Sequence, residues 1–455
     1  MTQRSKVYEL DPEGAADGHG IVVKSGAFTV GPLAGDGAGG DGTGYHGEAS
    51  LVDYIPSGTV VPVDTTSANH IAFPAAITLR SGKHLTVYRT ALTHAAENTS
   101  KMRCKTSTDD GQTWSAPVIA LDTPYDDGGN IGVTQAHDDT VVAVAVVCPG
   151  PISAADGWYS VAVRSTDEGA TWSAPITINA GYTARSIAAN AVTLPNGDIL
   201  CAMFGRDSGV NDTYAVVAAS SDGGLTWARR GVVAHTTTDD FNEPCIQVMP
   251  DGELLCFIRN LTHAGVNQII LSRSIDGGAT WTTPRVILNQ ASGLPIPHVT
   301  RNGLLVLAYR DMAGGLYACQ WATSADRGNT WALRGDWSGQ APLGYDYAGW
   351  LDLADGDLGI VYSLEPADSS YADLYYMRFR RQLAEKLPLS QLDTTSSTTG
   401  QVPTKQADGT VAWATPATGG SGSTSGAGEL LMQDGVTGPP VPLETEARDD
   451  WLYQG

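Results

Sequence analysis

Residues 107–114 read STDDGQTW, a polar turn closed by a tryptophan, and the chain returns to this phrase four more times. The copies are STDEGATW (165–172), SSDGGLTW (220–227), SIDGGATW (274–281) and SADRGNTW (324–331), all fitting S-x-D-x-G-x-T-W with 50 to 58 residues from one start to the next. A fixed period of this length marks a repeated supersecondary unit. In each copy the aspartate (Asp109, Asp167, Asp222, Asp276, Asp326) is suited to accept N–H bonds from its own turn. The glycine permits positive φ, and the tryptophan supplies an apolar plate. These aspartates are read as structural staples, because groups spread around a fold do not converge on one site.

A second repeat runs between the staples: ITLRSGKHLTVYR (77–89), VTQAHDDTVVAVAVV (133–147), VTLPNGDILCAMFGR (192–206), IQVMPDGELLCFIR (246–259), HVTRNGLLVLAYR (298–310) and LDLADGDLGIVYSLE (351–365). Each is an apolar run, a turn and another apolar run. Asn196-Gly197, Asp251-Gly252, Asn302-Gly303 and Asp355-Gly356 are dipeptides favoured by two-residue hairpin turns, in which both central residues take φ > 0. A third strand follows each hairpin, as in YSVAVRS (159–165), NQIILSRS (267–274) and DLYYMRF (373–379), and the staple turns the chain into a fourth. Six four-stranded units without helical periodicity predict an all-β fold, a six-bladed β-propeller. The sixth third strand has no staple after it, so its outer strand is expected from TVVPVDTT (59–66), ahead of blade one, closing the ring.

Composition agrees: 53 Gly and 11 Trp with 17% charged residues describe a turn-rich β chain able to bury a large core. A net charge of -22 without a basic cluster argues against a nucleic-acid partner. Cys104, Cys148, Cys201, Cys245, Cys256 and Cys319 are scattered singly, as buried free thiols are. No metal site and no cofactor are expected. Membrane insertion is not expected either, because no apolar run has spanning length, and the start MTQRSKVYELDPEG lacks the apolar stretch of a secretion signal. Three regions are delimited: an N-terminal arm over 1–45 with the glycine-rich GPLAGDGAGGDGTGYHG, the propeller over 46–385, and a C-terminal low-complexity appendage over 386–455 with a Ser/Gly/Thr hinge at 418–427.

Strand direction places the candidate site. Hairpin turns and staples lie at one end of the blades, so the starts of the first strands and the ends of the second strands gather at the other, around the axis. Arg89, Arg259 and Arg310 stand seven residues after their turn glycines, Arg206 and Glu365 nine after theirs, all of one parity and therefore one face. Such arginines suit a carboxylate-bearing or sulfated sugar. Glu243 and Tyr347 open first strands at the same end, and His70 and His94 flank the first two strands of blade one. Asp126-Asp127, Asp207, Asp239-Asp240 and Asp311 are acidic candidates on this rim, and Tyr125, Tyr182, Phe241 and Tyr345 are candidate platforms for sugar rings.

The staples are the Asp-box signature, and the region 46–385 resembles the sialidase-like, six-bladed Asp-box propellers. The resemblance implies that Glu243 activates a Tyr347 nucleophile, that Arg259 and Arg310 belong to an arginine triad, and that Glu365 steadies its third arginine. It departs at HIAFPAAI, where Ala72 stands in place of that arginine, and no counterpart of the acid/base aspartate is found. His70, Arg89 and His94 stand nearby as ligand-binding or, for His94, catalytic candidates. LPLSQLDTTSSTTGQV and LLMQDGVTGPPVPLETEARDDWLYQG resemble C-terminal segments of minor tail proteins from actinobacterial phages. Together the two resemblances imply a phage tail receptor-binding protein, made in the host cytoplasm and carried in the virion. Its expected partners are a host cell-surface glycan, other tail proteins and further copies of itself, as a trimer. A glycoside hydrolase and a structural tail component are the alternative functions.

Overall fold

The computed structural model describes residues 8–11, 19–24, 27–32, 52–65, 69–94, 98–149, 157–208, 212–262, 265–289, 291–311, 318–337, 344–365, 371–383, 385–388, 402–405 and 411–414. Every strand or helix assigned among them is a β-strand. The chain forms two compact units, one built on Tyr54–Arg381 and the other on the chain ends, Met1–Asp53 with Gln382–Arg448. In the second unit Tyr8–Asp11 pairs in parallel with Glu385–Pro388, and His19–Lys24 with Ala27–Pro32 and Val402–Lys405 with Val411–Ala414 are antiparallel hairpins. The glycine-rich stretch at 33–45, the hinge at 418–427 and the phage-like C-terminal stretch lie outside the described residues.

The first unit is a six-bladed propeller of four-stranded antiparallel sheets. The innermost strands are His70–Thr78, Asp126–Gln135, Arg185–Thr193, Asp239–Val248, Ala291–Val299 and Gly344–Asp352 for blades one to six. The second strands are His84–Ala91, Val141–Cys148, Ile199–Arg206, Leu254–Thr262, Leu305–Asp311 and Leu358–Glu365. Each innermost strand packs on the next, and that of blade six on that of blade one, which completes the circle. The approach is close enough to require glycine: a Cβ on Gly132 would lie 2.5 Å from Asn190 Cα, and one on Gly349 2.2 Å from Ala76 N.

Blade six takes its outer strand from Val52–Asp64, which contains the expected segment. This strand is also tied to blade one, where the Tyr88 hydroxyl donates to Asp64 Oδ2 at 2.5 Å and Lys105 Nζ donates to the Val63 carbonyl at 2.6 Å. The ring is therefore closed by chain that precedes it, and the edge of the sixth sheet is covered.

The turns correct one expectation. Each inner hairpin is closed by a three-residue loop, not a two-residue one: the Leu194 N–H donates to Asp198 O at 2.8 Å and the Gly197 N–H to Leu194 O at 2.9 Å. The same pair of bonds recurs from Leu79, Ala136, Met249, Thr300 and Leu353. Only the last loop residue takes positive φ, glycine in five blades and Asp139 (φ 67) in blade two, so one left-handed residue suffices.

The staples are local networks. In the first, Ser107 Oγ donates to Asp109 Oδ1 (2.8 Å) and accepts from the Gly111 N–H (3.0 Å). Thr113 donates through its N–H (2.9 Å) and hydroxyl (2.6 Å) to the same carboxylate, and Trp114 Nε1 donates to Gly111 O (3.1 Å). The other four repeat the pattern around Asp167, Asp222, Asp276 and Asp326. Their tryptophans pack into the cores between blades: Trp172 between blades one and two, Trp227 between two and three, Trp281 between three and four. Second strands are sandwiched between neighbours and so do not alternate in polarity. In Val141–Cys148, residues 141, 143, 145 and 147 join blade one's core, and residues 142 and 144 join blade three's.

Candidate active site

In all six blades the innermost strand slips out of register with the second strand. Such bulges re-aim side chains, and they recur next to active sites. In blade one the slip lies between Ala72 and Ala75, in blade four between Asn242 and Cys245, in blade six between Tyr345 and Ala348. The residues expelled from the ladder are Phe73, Glu243 and Tyr347 among others. Pro74 and Pro244 follow two of them and lack the N–H a ladder needs. Phe73 (φ 56) and Glu243 (φ 48) are also held in the left-handed region. For residues of this bulk such backbone costs about 1–3 kcal/mol and is concentrated at functional sites.

These three blades bring their side chains together. The Tyr347 hydroxyl donates to Glu243 Oε1 in a short hydrogen bond, and Arg259 Nη1 donates to Glu243 Oε2 at 3.3 Å. Tyr347 and Glu243 are 3% and 1% exposed, while the Arg259 side chain is 17% exposed. The Phe73 ring lies 4.9 Å from that of Tyr347, 5.5 Å from that of His94 and 5.7 Å from that of His70. Beyond it, His94 Nδ1 is 3.1 Å from Glu365 Oε2 and His70 Nε2 is 3.4 Å from Oε1. Phe73 thus separates two carboxylates, one held by a tyrosine and an arginine, the other by two imidazoles.

Burial works to raise the Glu365 pKa, but hydrogen bonding and charge from His70 and His94 outweigh it and hold the carboxyl well below its usual range. Burial also dominates at His70, lowering its pKa against the pull of Glu365 and favouring the neutral ring. His70, His94 and Glu365 each offer a donor atom, all within 4.8 Å of one another.

Not every candidate faces the mouth. Arg89, expected to contact ligand, is 1% exposed: its Nε and Nη2 donate to Asp126 Oδ1 at 3.0 and 2.9 Å, and Nη1 donates to Thr93 O at 3.0 Å. Its charge is committed to the interface between blades one and two, and Asp126 is its counterion there instead of a rim acid. Asp127 is fully buried as well, and burial pushes its carboxyl up to about 6. His70, at 0% exposure, reaches ligand only through what it holds. Arg310 is half-buried against Gly293, where a Cβ would come within 3.2 Å of its Nε. Arg206 is half-buried and paired across the ladder with Arg185. Phe241 is 4% exposed in the core between blades three and four, so it offers no platform. Tyr182 stays partly open, packed against Tyr214 at 5.5 Å and under the Arg229 guanidinium at 5.4 Å. The side chains of Tyr345 and Asp311 lie outside the described residues. Phe73 was missed by sequence reasoning, although FP in IAFPAAI occupies the place of EP in FNEPCIQ.

Residues 101–290 match the BNR repeat-like domain family. A sialidase of Micromonospora viridifaciens is 25% identical over 230 residues, 47% of this chain and 34% of the relative, so the chain matches about a third of that relative's length. Among solved structures, a Dyadobacter fermentans protein of unknown function superposes with a TM-score of 0.62 at 20% identity, over 73% of this chain and 99% of that one. Trypanosoma rangeli sialidase superposes with a TM-score of 0.57 at 15% identity, over 72% of this chain and 59% of that one. At these identities the structural likenesses establish the fold.

Proposed function

Taking the chain as a BNR-repeat propeller of sialidase-like fold, we propose that its bulged end is a glycan-processing site for an acidic sugar, with Tyr347 as nucleophile and Glu243 as the base that activates it. The observation that carries this reading is the buried hydrogen bond from the Tyr347 hydroxyl to Glu243. A phenol with a pKa near 10 is barely ionised at neutral pH, so a nucleophilic tyrosine needs an adjacent carboxylate to take its proton. As that proton moves to Glu243, the phenolate oxygen bonds to the anomeric carbon and the glycosidic bond breaks, its electron pair going to the aglycone oxygen, which takes a proton from solvent water. Water then attacks the anomeric carbon and gives its proton back to solvent as the tyrosyl bond breaks, and the proton held by Glu243 returns to the phenolate. Arg259, beside Glu243 and partly exposed, supports the carboxylate and presents its positive charge to an anionic group on the sugar.

Ala72 and the histidine-bound Glu365 argue for a sugar other than the one a complete arginine triad holds. We place this site in a phage tail on the strength of the sequence at 386–455 alone, with a host cell-surface polysaccharide as substrate or receptor. Other tail proteins and further copies of the chain would be its partners in the virion. The test is incubation of the pure protein with envelope polysaccharide of actinobacterial hosts. Release of reducing sugar that is lost in Glu243→Gln and Tyr347→Phe supports the hydrolase. Retention on the polysaccharide without product overturns it in favour of a receptor-binding role, and neither result leaves only a structural part in the tail.

A further inference from the structure

We propose that His70, His94 and Glu365 form a binding site for a first-row divalent transition-metal ion, with an open coordination position toward the mouth. Two imidazoles and a carboxylate are the donor set that suits zinc and its neighbours, and three protein ligands with a free fourth position is the pattern of catalytic zinc sites. Ligand bonds of about 2.0–2.2 Å in tetrahedral arrangement set neighbouring donor atoms roughly 3.3 Å apart. Through the single donor Glu365 Oε1 the two edges measure 3.2 Å to His94 Nδ1 and 3.4 Å to His70 Nε2, and the three donors lie within 4.8 Å.

His70 supplies an independent observation. It is 0% exposed, neither ring nitrogen makes a hydrogen bond of good geometry, and Nε2 meets Glu365 Oε1 only in a loose contact at 3.4 Å. A buried polar atom in that state calls for a partner, and a metal ion on Nε2 provides one. A backbone hydrogen bond pins its surroundings: the Ile71 N–H donates to Ala372 O at 2.8 Å, joining the start of blade one to blade six, whose second strand ends at Glu365. Access comes from the His94 side, 21% exposed against 10% for Glu365, next to the Phe73 ring that leads to Tyr347. A metal there would offer a hydroxyl or carboxylate oxygen of a bound sugar a Lewis-acidic contact.

This site does not depend on turnover and is tested by binding alone. Full-length protein is stripped with a chelator and titrated with Zn2+ by calorimetry, and with Co2+ followed by visible absorption. The expected result is one Zn2+ per chain, at least tenfold weaker binding in His94→Ala and in Glu365→Gln, unchanged binding in His235→Ala, a histidine stacked on Tyr214 in blade three, and cobalt d–d bands that vanish in His94→Ala. Near-UV circular dichroism checks that His94→Ala, altered at a partly exposed position, keeps the native fold. Absence of saturable Zn2+ binding, or equal affinity in folded His94→Ala, overturns the proposal.

Discussion

The Tyr347 hydroxyl donates to the Glu243 carboxylate across 104 residues of sequence, with both side chains almost wholly buried between blades six and four. Tyr347→Phe keeps the ring against Phe73 and removes only the donor. The expected cost is roughly 1.5–3 kcal/mol, the range for a hydrogen bond to a charged group, together with complete loss of any turnover. Urea denaturation read beside the polysaccharide assay checks both; unchanged stability would mean that the hydroxyl and carboxylate do not meet in solution.

Arg259 is the cation of this pair that reaches solvent. Arg259→Ala should weaken binding of an acidic glycan by roughly 1.5–3 kcal/mol, and added salt should narrow the gap from wild type. Arg230→Ala, which breaks an ion pair to Asp198 on the turn side, should leave affinity unchanged. Equal losses in both variants would place the ligand elsewhere.

Arg89 predicts the opposite signature. Arg89→Met strands the buried carboxylate of Asp126 and should cost about 3–5 kcal/mol of stability, as breaking buried ion pairs does. Adding Asp126→Asn should restore part of it, and a double-mutant cycle measured by denaturation would show that coupling. Additive losses would mean the pair contributes no interaction energy.

The serines of the staples are the buried members of those networks. Ser274 is 3% exposed, donates to Asp276 Oδ1 at 2.8 Å and accepts from the Gly278 N–H at 3.0 Å. Ser274→Ala should lower stability by about 1–3 kcal/mol by leaving that N–H unsatisfied, with glycan affinity intact. Lost affinity at full stability would move the working face to the staple end.

The staple aspartates also set an acid limit. Hydrogen bonds from the hydroxyl and N–H of the following threonine lower the carboxyls of Asp167 and Asp276 from 3.8 to about 2. Folded values below unfolded ones give stability that is present above about pH 4 and lost as pH falls toward 2. Denaturation midpoints taken from pH 5 downward should fall through that window, less steeply in Asp276→Asn than in wild type. A flat profile would contradict it.

Much of the fold was legible because its signals are local. A staple closes its bonds within eight residues, from Ser107 to Trp114, and each hairpin turn within five, from Leu194 to Asp198, so residue types at short spacing reveal both. Even the missing sixth outer strand followed from counting, since the sixth blade otherwise ends at its third strand. The turn length was misjudged because Asn-Gly fits both two- and three-residue loops, and only the bond from Leu194 to Asp198 distinguishes them.

The site was legible in part. Counting from turn glycines brings Arg259 and Glu365, and the direction of the first strands Glu243 and Tyr347, to one end of the blades, because strand direction is a local property. What each side chain does there depends on neighbours that sequence does not order. Arg89 and Arg259 share a spacing from their turns, yet a carboxylate 37 residues away at Asp126 claims the first and leaves the second beside Glu243. The sequence alone determined six blades, their staples and the end at which a site would form. Tertiary structure decided which charges are buried against each other and which stay open to solvent, because desolvation and pairing are set by distance in space.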